Sequence, residues 1–338
     1  MIKTSEYCAV GHPDRTCDYI ASYILDRYLE KDPSARVALE VQLKDNFCTL
    51  SGEVTSGWTF TNSELAEFCR DAIRKVGYTK EYQAAWGAEN VICGDDVEVT
   101  IHISQQSTDI AQGVNRDKFG DQGVFWGYAV DDRTRGNMPK DYYLAREIAK
   151  TLVERGVGGI DVKTQVTVED GHPTECIVAI PLRDDQPEAH VEAVVREFVG
   201  EDCKVIINGT GRYVTHGSIG DCGTTGRKLV VDFYGGNSKI GGGSPWGKDP
   251  TKGDVSLNML ARKKALDYME LNGLPEVQCA ISACIGRSEI RVSYFDRENK
   301  LLLSEIEDAP PSHVIAELEL DKPEYATRCD RGLFGFEV

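Results

Sequence analysis

One order of local patterns occurs three times along this 338-residue chain, and any fold for it has to accommodate all three copies. In the first, Cys17, Ile20, Ala21, Ile24, Leu25 and Tyr28 fall at the i, i+3, i+4, i+7 spacing of an amphipathic helix. Two β-rich stretches follow, Arg36 to Leu43 and Phe47 to Val54, with Lys44-Asp45-Asn46 as the turn between them. A second helix is predicted through Leu65, Phe68, Cys69, Ala72, Ile73 and Val76, stopped by Gly77, and then a strand from Val97 to Ile103. The second copy starts at Asp141. Its helix carries Leu144, Ile148 and Leu152, its strands run Val162 to Val168 and Glu175 to Leu182, and a helix through Val191, Val195 and Phe198 precedes a strand from Lys204 to Asn208. The third starts at Ser256, with a helix through Leu257, Leu260, Ala261 and Ala265, a hairpin of Val277 to Ala283 with Glu289 to Phe295, and a short helix at Val314 to Leu318.

Helix, hairpin, helix three times predicts three α+β domains, each a mostly antiparallel sheet covered by helices. Gly-rich and polar stretches at Gly113 to Asp121 and Thr215 to Gly226 put the boundaries at 1–112, 113–215 and 216–338.

Composition narrows the partners. A net charge of −17 repels polyanions, so nucleic acid and anionic membranes are not expected ligands, and an anionic substrate needs a local basic patch. The opening Met1-Ile2-Lys3-Thr4-Ser5-Glu6 has no signal-peptide core, and no stretch approaches the ~18 apolar residues of a membrane span. Eleven scattered cysteines without close pairs read as buried free thiols. A cytoplasmic protein is the expectation.

The basic patch exists. From Gly235 to Gly253 there are seven glycines in nineteen positions, and between Arg227 and Lys252 five cations meet only two carboxylates. Glycines let backbone N–H groups approach phosphate oxygens, and lysines supply charge to the same oxygens, so a polyphosphate suits this stretch better than a bare surface loop does. Gly242 to Lys248 has the spacing of a P-loop, but Asp249 and Pro250 follow where Ser or Thr and a continuing helix are needed. Near the start, Gly11-His12-Pro13-Asp14 directly precedes the first helix, where an anion could meet His12 and a divalent cation Asp14.

These motifs carry a resemblance. Gly11-His12-Pro13-Asp14, Gly52-Glu53-Val54-Thr55, Gln106-Ser107-Thr108-Asp109, Gly120-Asp121-Gln122-Gly123, Asp161-Val162-Lys163-Thr164, Gly220-Asp221-Cys222-Gly223-Thr224-Thr225-Gly226-Arg227-Lys228 and Gly247-Lys248-Asp249-Pro250 resemble, in order, the signatures of S-adenosylmethionine synthetases. The resemblance covers nearly the whole chain. It implies three α+β domains about a pseudo-threefold, and active sites between the subunits of a homodimer, often paired into homotetramers. It implies joining L-methionine sulfur to C5′ of ATP, with the released triphosphate cut to pyrophosphate and phosphate, two Mg2+ and K+ assisting.

By the same resemblance the catalytic residues are His12, Lys163, Arg227 and Lys248, with Lys228 and Lys252 also on the triphosphate. Asp121 and Asp161 bind ATP, the latter at the ribose, and Tyr213 stacks on adenine. Glu53, Gln106, Asp221 and Lys252 recognise methionine, Asp14 and Asp254 hold magnesium, and Glu40 holds potassium. The polar segment from Gln106 to Asn115 is expected to act as a lid. Arg15 stands where the family usually has lysine. A noncatalytic nucleotide-binding regulatory homologue, a bare triphosphatase and a synthetase with altered sulfur-substrate preference are the rival readings.

Overall fold

The computed structural model describes residues 1–105 and 117–334; Gln106 and the whole of the expected lid lie outside them. Twelve strands within the described residues build three four-stranded sheets. The first contains β2 (Arg36–Lys44), β3 (Phe47–Thr55), β4 (Glu98–Ser104) and β9 (Gly223–Thr224), in the order β4-β3-β2-β9. In the second, β1 (Ile2–Cys8), β6 (Lys163–Glu169), β7 (His172–Ala179) and β8 (Lys204–Ile207) lie in sequence order. The third is β12-β11-β10-β5, from β5 (Gly123–Val130), β10 (Glu276–Ala283), β11 (Glu289–Phe295) and β12 (Leu301–Asp308). All pairings are antiparallel except β3 with β4 and β7 with β8.

Helices cover each sheet. Pro13–Lys31 and Asn62–Val76 pack on the first through Ile20, Ile24, Leu65 and Ile73, all fully buried with Val37, Leu39 and Leu50. Lys140–Glu154 and Glu188–Val199 cover the second, and Gly253–Asn272 and Pro311–Glu317 the third. Asn62–Val76 has the local signals of a helix at both ends. Thr61 and Glu64 form a reciprocal capping box, and Gly77 closes the C-terminus at φ +123°.

The hairpins and long helices fall where the sequence pattern puts them, but the units are not contiguous in the chain. Each strand that leads into a unit's first helix joins a neighbouring sheet. β1, before Pro13–Lys31, pairs with β6, β5 pairs with β10, and β9 pairs with β2. The exchange is cyclic, first to second, second to third, third to first, and it interlocks the units around their pseudo-threefold. The linear ranges 1–112, 113–215 and 216–338 therefore fail to describe the sheets at these three strands. The reason is that a periodicity specifies a strand's face, whereas its partner is set by long-range hydrogen bonding.

All eleven cysteines are free thiols, nine of them buried. No helix among the described residues is long and apolar enough to cross a membrane.

Candidate active site

The strand exchange decides where the chemistry gathers. Because β1 pairs with β6, Cys8 sits opposite Lys163, and the chain leaving β1 delivers His12 to the start of helix Pro13–Lys31 beside that lysine. His12 caps the helix: its Nδ1 accepts the Asp14 amide at 3.2 Å. Burial, then Lys228, push its pKa down to about 3. The imidazole is therefore neutral at physiological pH, and with Nδ1 accepting, the ring proton is on Nε2.

Asp14 is buried in the first helical turn. Its Oδ1 accepts the Thr224 amide of β9 at 2.9 Å, Lys228 Nζ is 2.5 Å from Oδ2, and Arg227 is 3.6 Å from Oδ1. Burial alone would raise its pKa, but the Lys228 and Thr224 hydrogen bonds hold it below the usual carboxylate range. Asp161, just before β6, accepts the Gly217 amide at 2.9 Å, and burial of its carboxyl group raises it to about 6. Lys163 and Asp221 act on both His12 and Asp161, and Asp161 acts on Tyr213. His12, Asp14, Asp161, Lys163, Tyr213, Asp221, Arg227 and Lys228 thus form one group, drawn from all three of the linear ranges.

A second group surrounds the N-terminus of helix Gly253–Asn272. Lys248 bonds Asp254 at 2.6 Å, and Asp254 also accepts the Gly243 amide at 2.7 Å. Both line a cavity of about 450 Å3 together with Glu53, Asp121, Lys252 and Phe125. Lys252 is steered by buried Asp249, 3.1 Å away, which also accepts the Val37 amide. Glu40 faces Lys248 and Asp254; its side chain keeps solvent contact, yet partial loss of hydration raises its pKa, with Lys248 opposing. The helix starts at Gly253, five residues beyond Lys248, so the loop is not built as a P-loop.

No hydrogen bond or ion pair among the described residues links the two groups. Gln106 lies outside those residues.

Sequence reading missed the supports of these groups. Under Asp14, one turn along the same helix, Asp18 accepts the Gly226 amide at 2.8 Å, and fully buried Arg15 bridges Asp18 and Asp232. The i, i+4 spacing of Asp14 and Asp18 is a signal that could have found the first; Asp232 carries no local signal at all.

The sequence profile of the S-adenosylmethionine synthetase N-terminal domain matches residues 1–108, and that of the C-terminal domain matches residues 215–337. The chain is 35% identical to S-adenosylmethionine synthase 2 of Rhodospirillum rubrum over 98% of its own length and 91% of the relative's. It is 32% identical to the S-adenosylmethionine synthase of Mesoplasma florum over 98% and 94%. Among solved structures, an unusual S-adenosylmethionine synthetase from Campylobacter jejuni superposes with a TM-score of 0.86 at 27% identity, covering 99% of this chain and 95% of that one. The interlocked sheets, the paired carboxylates and cations and these matches agree, and the chain belongs to the S-adenosylmethionine synthetase family.

Proposed function

We infer that this protein is a methionine adenosyltransferase, making S-adenosylmethionine from ATP and L-methionine and cutting the released triphosphate to pyrophosphate and phosphate. The observation that carries the reading is the convergence of His12, Asp14, Lys163, Arg227 and Lys228 at one helix N-terminus, in a chain of this family. A thioether attacks carbon without giving up a proton, so the site needs no general base. It needs charge stabilisation on a leaving triphosphate. Neutral His12 supplies an Nε2–H donor, and Lys163 a cation, to the oxygen that leaves C5′. Arg227, Lys228, Lys248 and Lys252 hold the rest of the triphosphate. Asp161 accepts from the ribose, Tyr213 stacks on adenine, and Asp121 completes the ATP contacts. Glu53, Gln106, Asp221 and Lys252 fix the methionine for in-line attack.

Two magnesium ions fit Asp14 and Asp254. An ion held through one carboxylate, with waters and substrate phosphates completing its shell, would take only one of these carboxylates from the protein. When bound, magnesium neutralises phosphate charge. Lys228 and Lys248, bonded to those carboxylates, would act on the same phosphates. Glu40 is the carboxylate for potassium. The separation of the residues into two groups supports a homodimer, alone or paired as a homotetramer, in which the His12 group of one subunit faces the Lys248 group of the other. We place the enzyme in the cytoplasm.

Purified protein incubated with ATP, Mg2+, K+ and methionine should yield a sulfonium product together with pyrophosphate and phosphate. Absence of the sulfonium compound would refute the assignment.

A further inference from the structure

Three segments of the His12 group are tied to a single aromatic cluster that no role in the reaction has yet claimed. Tyr78 follows helix Asn62–Val76, Tyr82 and Trp86 lie on the next helix, Lys80–Trp86, and His216 comes from a distant part of the chain. His216 stands edge-on to Trp86 at 4.8 Å and to Tyr82 at 5.7 Å, and Tyr78 stands edge-on to Tyr82 at 5.8 Å.

Tyr78, Tyr82 and His216 each bond backbone beside a residue of the His12 group. Tyr78 Oη donates to the Gly11 carbonyl at 2.5 Å, immediately before His12. Tyr82 Oη accepts the Ile160 amide at 3.0 Å, immediately before Asp161, and lies 2.7 Å from His216 Nε2. His216 Nδ1 is 2.6 Å from the Val214 carbonyl, one residue after Tyr213. A carbonyl can only accept, so Nδ1 carries the proton, Nε2 accepts from Tyr82, and all three bonds run in one consistent direction. Burial holds this imidazole neutral, its pKa pushed down to about 4, so the arrangement persists at neutral pH. The next residue, Gly217, donates its amide to Asp161.

Close approach reinforces the links. A Cβ on Gly11 would fall 2.4 Å from the Ile160 carbonyl oxygen, and one on Gly217, at φ +61°, 2.4 Å from Tyr78 Oη. Asn90 adds two further bonds to the same stretch: its carbonyl accepts the His216 amide at 3.0 Å, and its side chain accepts from Thr215 at 2.7 Å.

We propose that Tyr82 and His216, with Tyr78 beside them, are positioning residues that hold the Gly11–His12, Ile160–Lys163 and Val214–Asp221 segments in one geometry for the adenosyl-transfer step. They touch no reacting atom. They act through His12, Asp161, Lys163 and Tyr213, so the inference rests on the roles given to those residues above.

The test separates adenosyl transfer from hydrolysis of added tripolyphosphate, a substrate with no adenosine to position. Tyr82→Phe removes one oxygen and His216→Phe keeps a ring while losing both hydrogen bonds. Each should lower kcat/KM for sulfonium formation by at least ~tenfold, the scale of a sub-ångström misplacement, with tripolyphosphate hydrolysis kept within ~threefold. His216→Gln, whose amide oxygen can take the place of Nε2, should recover most of the loss. Sulfonium formation within ~twofold of wild type in both phenylalanine variants would overturn the proposal. So would a parallel fall of both activities, which reports lost folded enzyme. No recovery in His216→Gln would overturn the role of His216. Wild-type protein that makes no sulfonium product would refute the assigned function instead, a distinguishable result.

Discussion

Replacing Arg15 by methionine removes a cation from a place where two carboxylates are wholly enclosed with it. Arg15 is 1% exposed and Asp18 0%. The guanidinium reaches Asp18 at 3.2 Å, bonds Asp232, donates to the Cys329 carbonyl at 2.7 Å, and lies 5.2 Å from the Trp246 ring. Burial, then Asp232, already push Asp18 well above the ordinary carboxylate range, and burial raises Asp232 too, so Arg15 is the counter-charge this acidic pair depends on. Without Arg15, a charge on the Asp18–Asp232 pair loses its ion-pair partner, and breaking such a buried pair typically costs ~3–5 kcal/mol. The variant avoids the charge by taking up one more proton on folding. At ~1.36 kcal/mol per pH unit, protonating a carboxyl of ordinary pKa ~3.9 costs about 4 kcal/mol at pH 7 and about 1.5 kcal/mol at pH 5. The stability gap between wild type and Arg15→Met should therefore shrink on acidification, by roughly 2.7 kcal/mol between pH 7 and pH 5. Urea unfolding of both proteins at the two pH values, at one fixed protomer concentration, measures it. A gap below ~1 kcal/mol at pH 7, or one that does not change with pH, would refute this electrostatic account.

Lys163→Met should lower the single-turnover rate of sulfonium formation at least ~hundredfold, about 2.7 kcal/mol, while ATP affinity weakens much less, because other cations still hold the triphosphate. Near-normal turnover would make Lys163 an ordinary exposed strand residue. Asp161, raised to about 6 by burial, should give kcat/KM for ATP an acid limb near pH 6 that Asp161→Asn abolishes. Its contribution to stability runs the opposite way: the folded state binds this proton more tightly than the unfolded chain, so acidification from pH 6 towards 4 favours folding through this group. A shared site predicts rescue between two inactive variants. Mixing Asp14→Asn with Asp254→Asn subunits under exchange should restore roughly a quarter of wild-type activity, since half of the sites in mixed dimers are intact. No rescue on exchange would put each site within one chain.

Sequence alone determined the long helices and hairpins, because their signals are local: a 3.6-residue apolar period and a glycine stop at Gly77. It also marked the glycine- and cation-rich stretch from Arg227 to Gly253 as the candidate place for a polyphosphate, which glycine and cations in one short stretch suit. Tertiary structure decided how these came together. β1 buries Ser5, Tyr7 and Cys8 while leaving Ile2 exposed, so its pattern advertises no face, and nothing near it in sequence names β6 as its partner. That pairing spans more than 150 residues and is fixed only by interstrand hydrogen bonds and a shared core, yet it sets Lys163 against the segment carrying His12. Arg15 looks like one more cation at a helix start until Asp18 and Asp232 close around it. His216 is a lone histidine until Tyr82, 134 residues away, gives its Nε2 a partner. Periodicity and composition are properties of neighbours along the chain; hydrogen-bond satisfaction and charge pairing in a water-free interior are properties of neighbours in space.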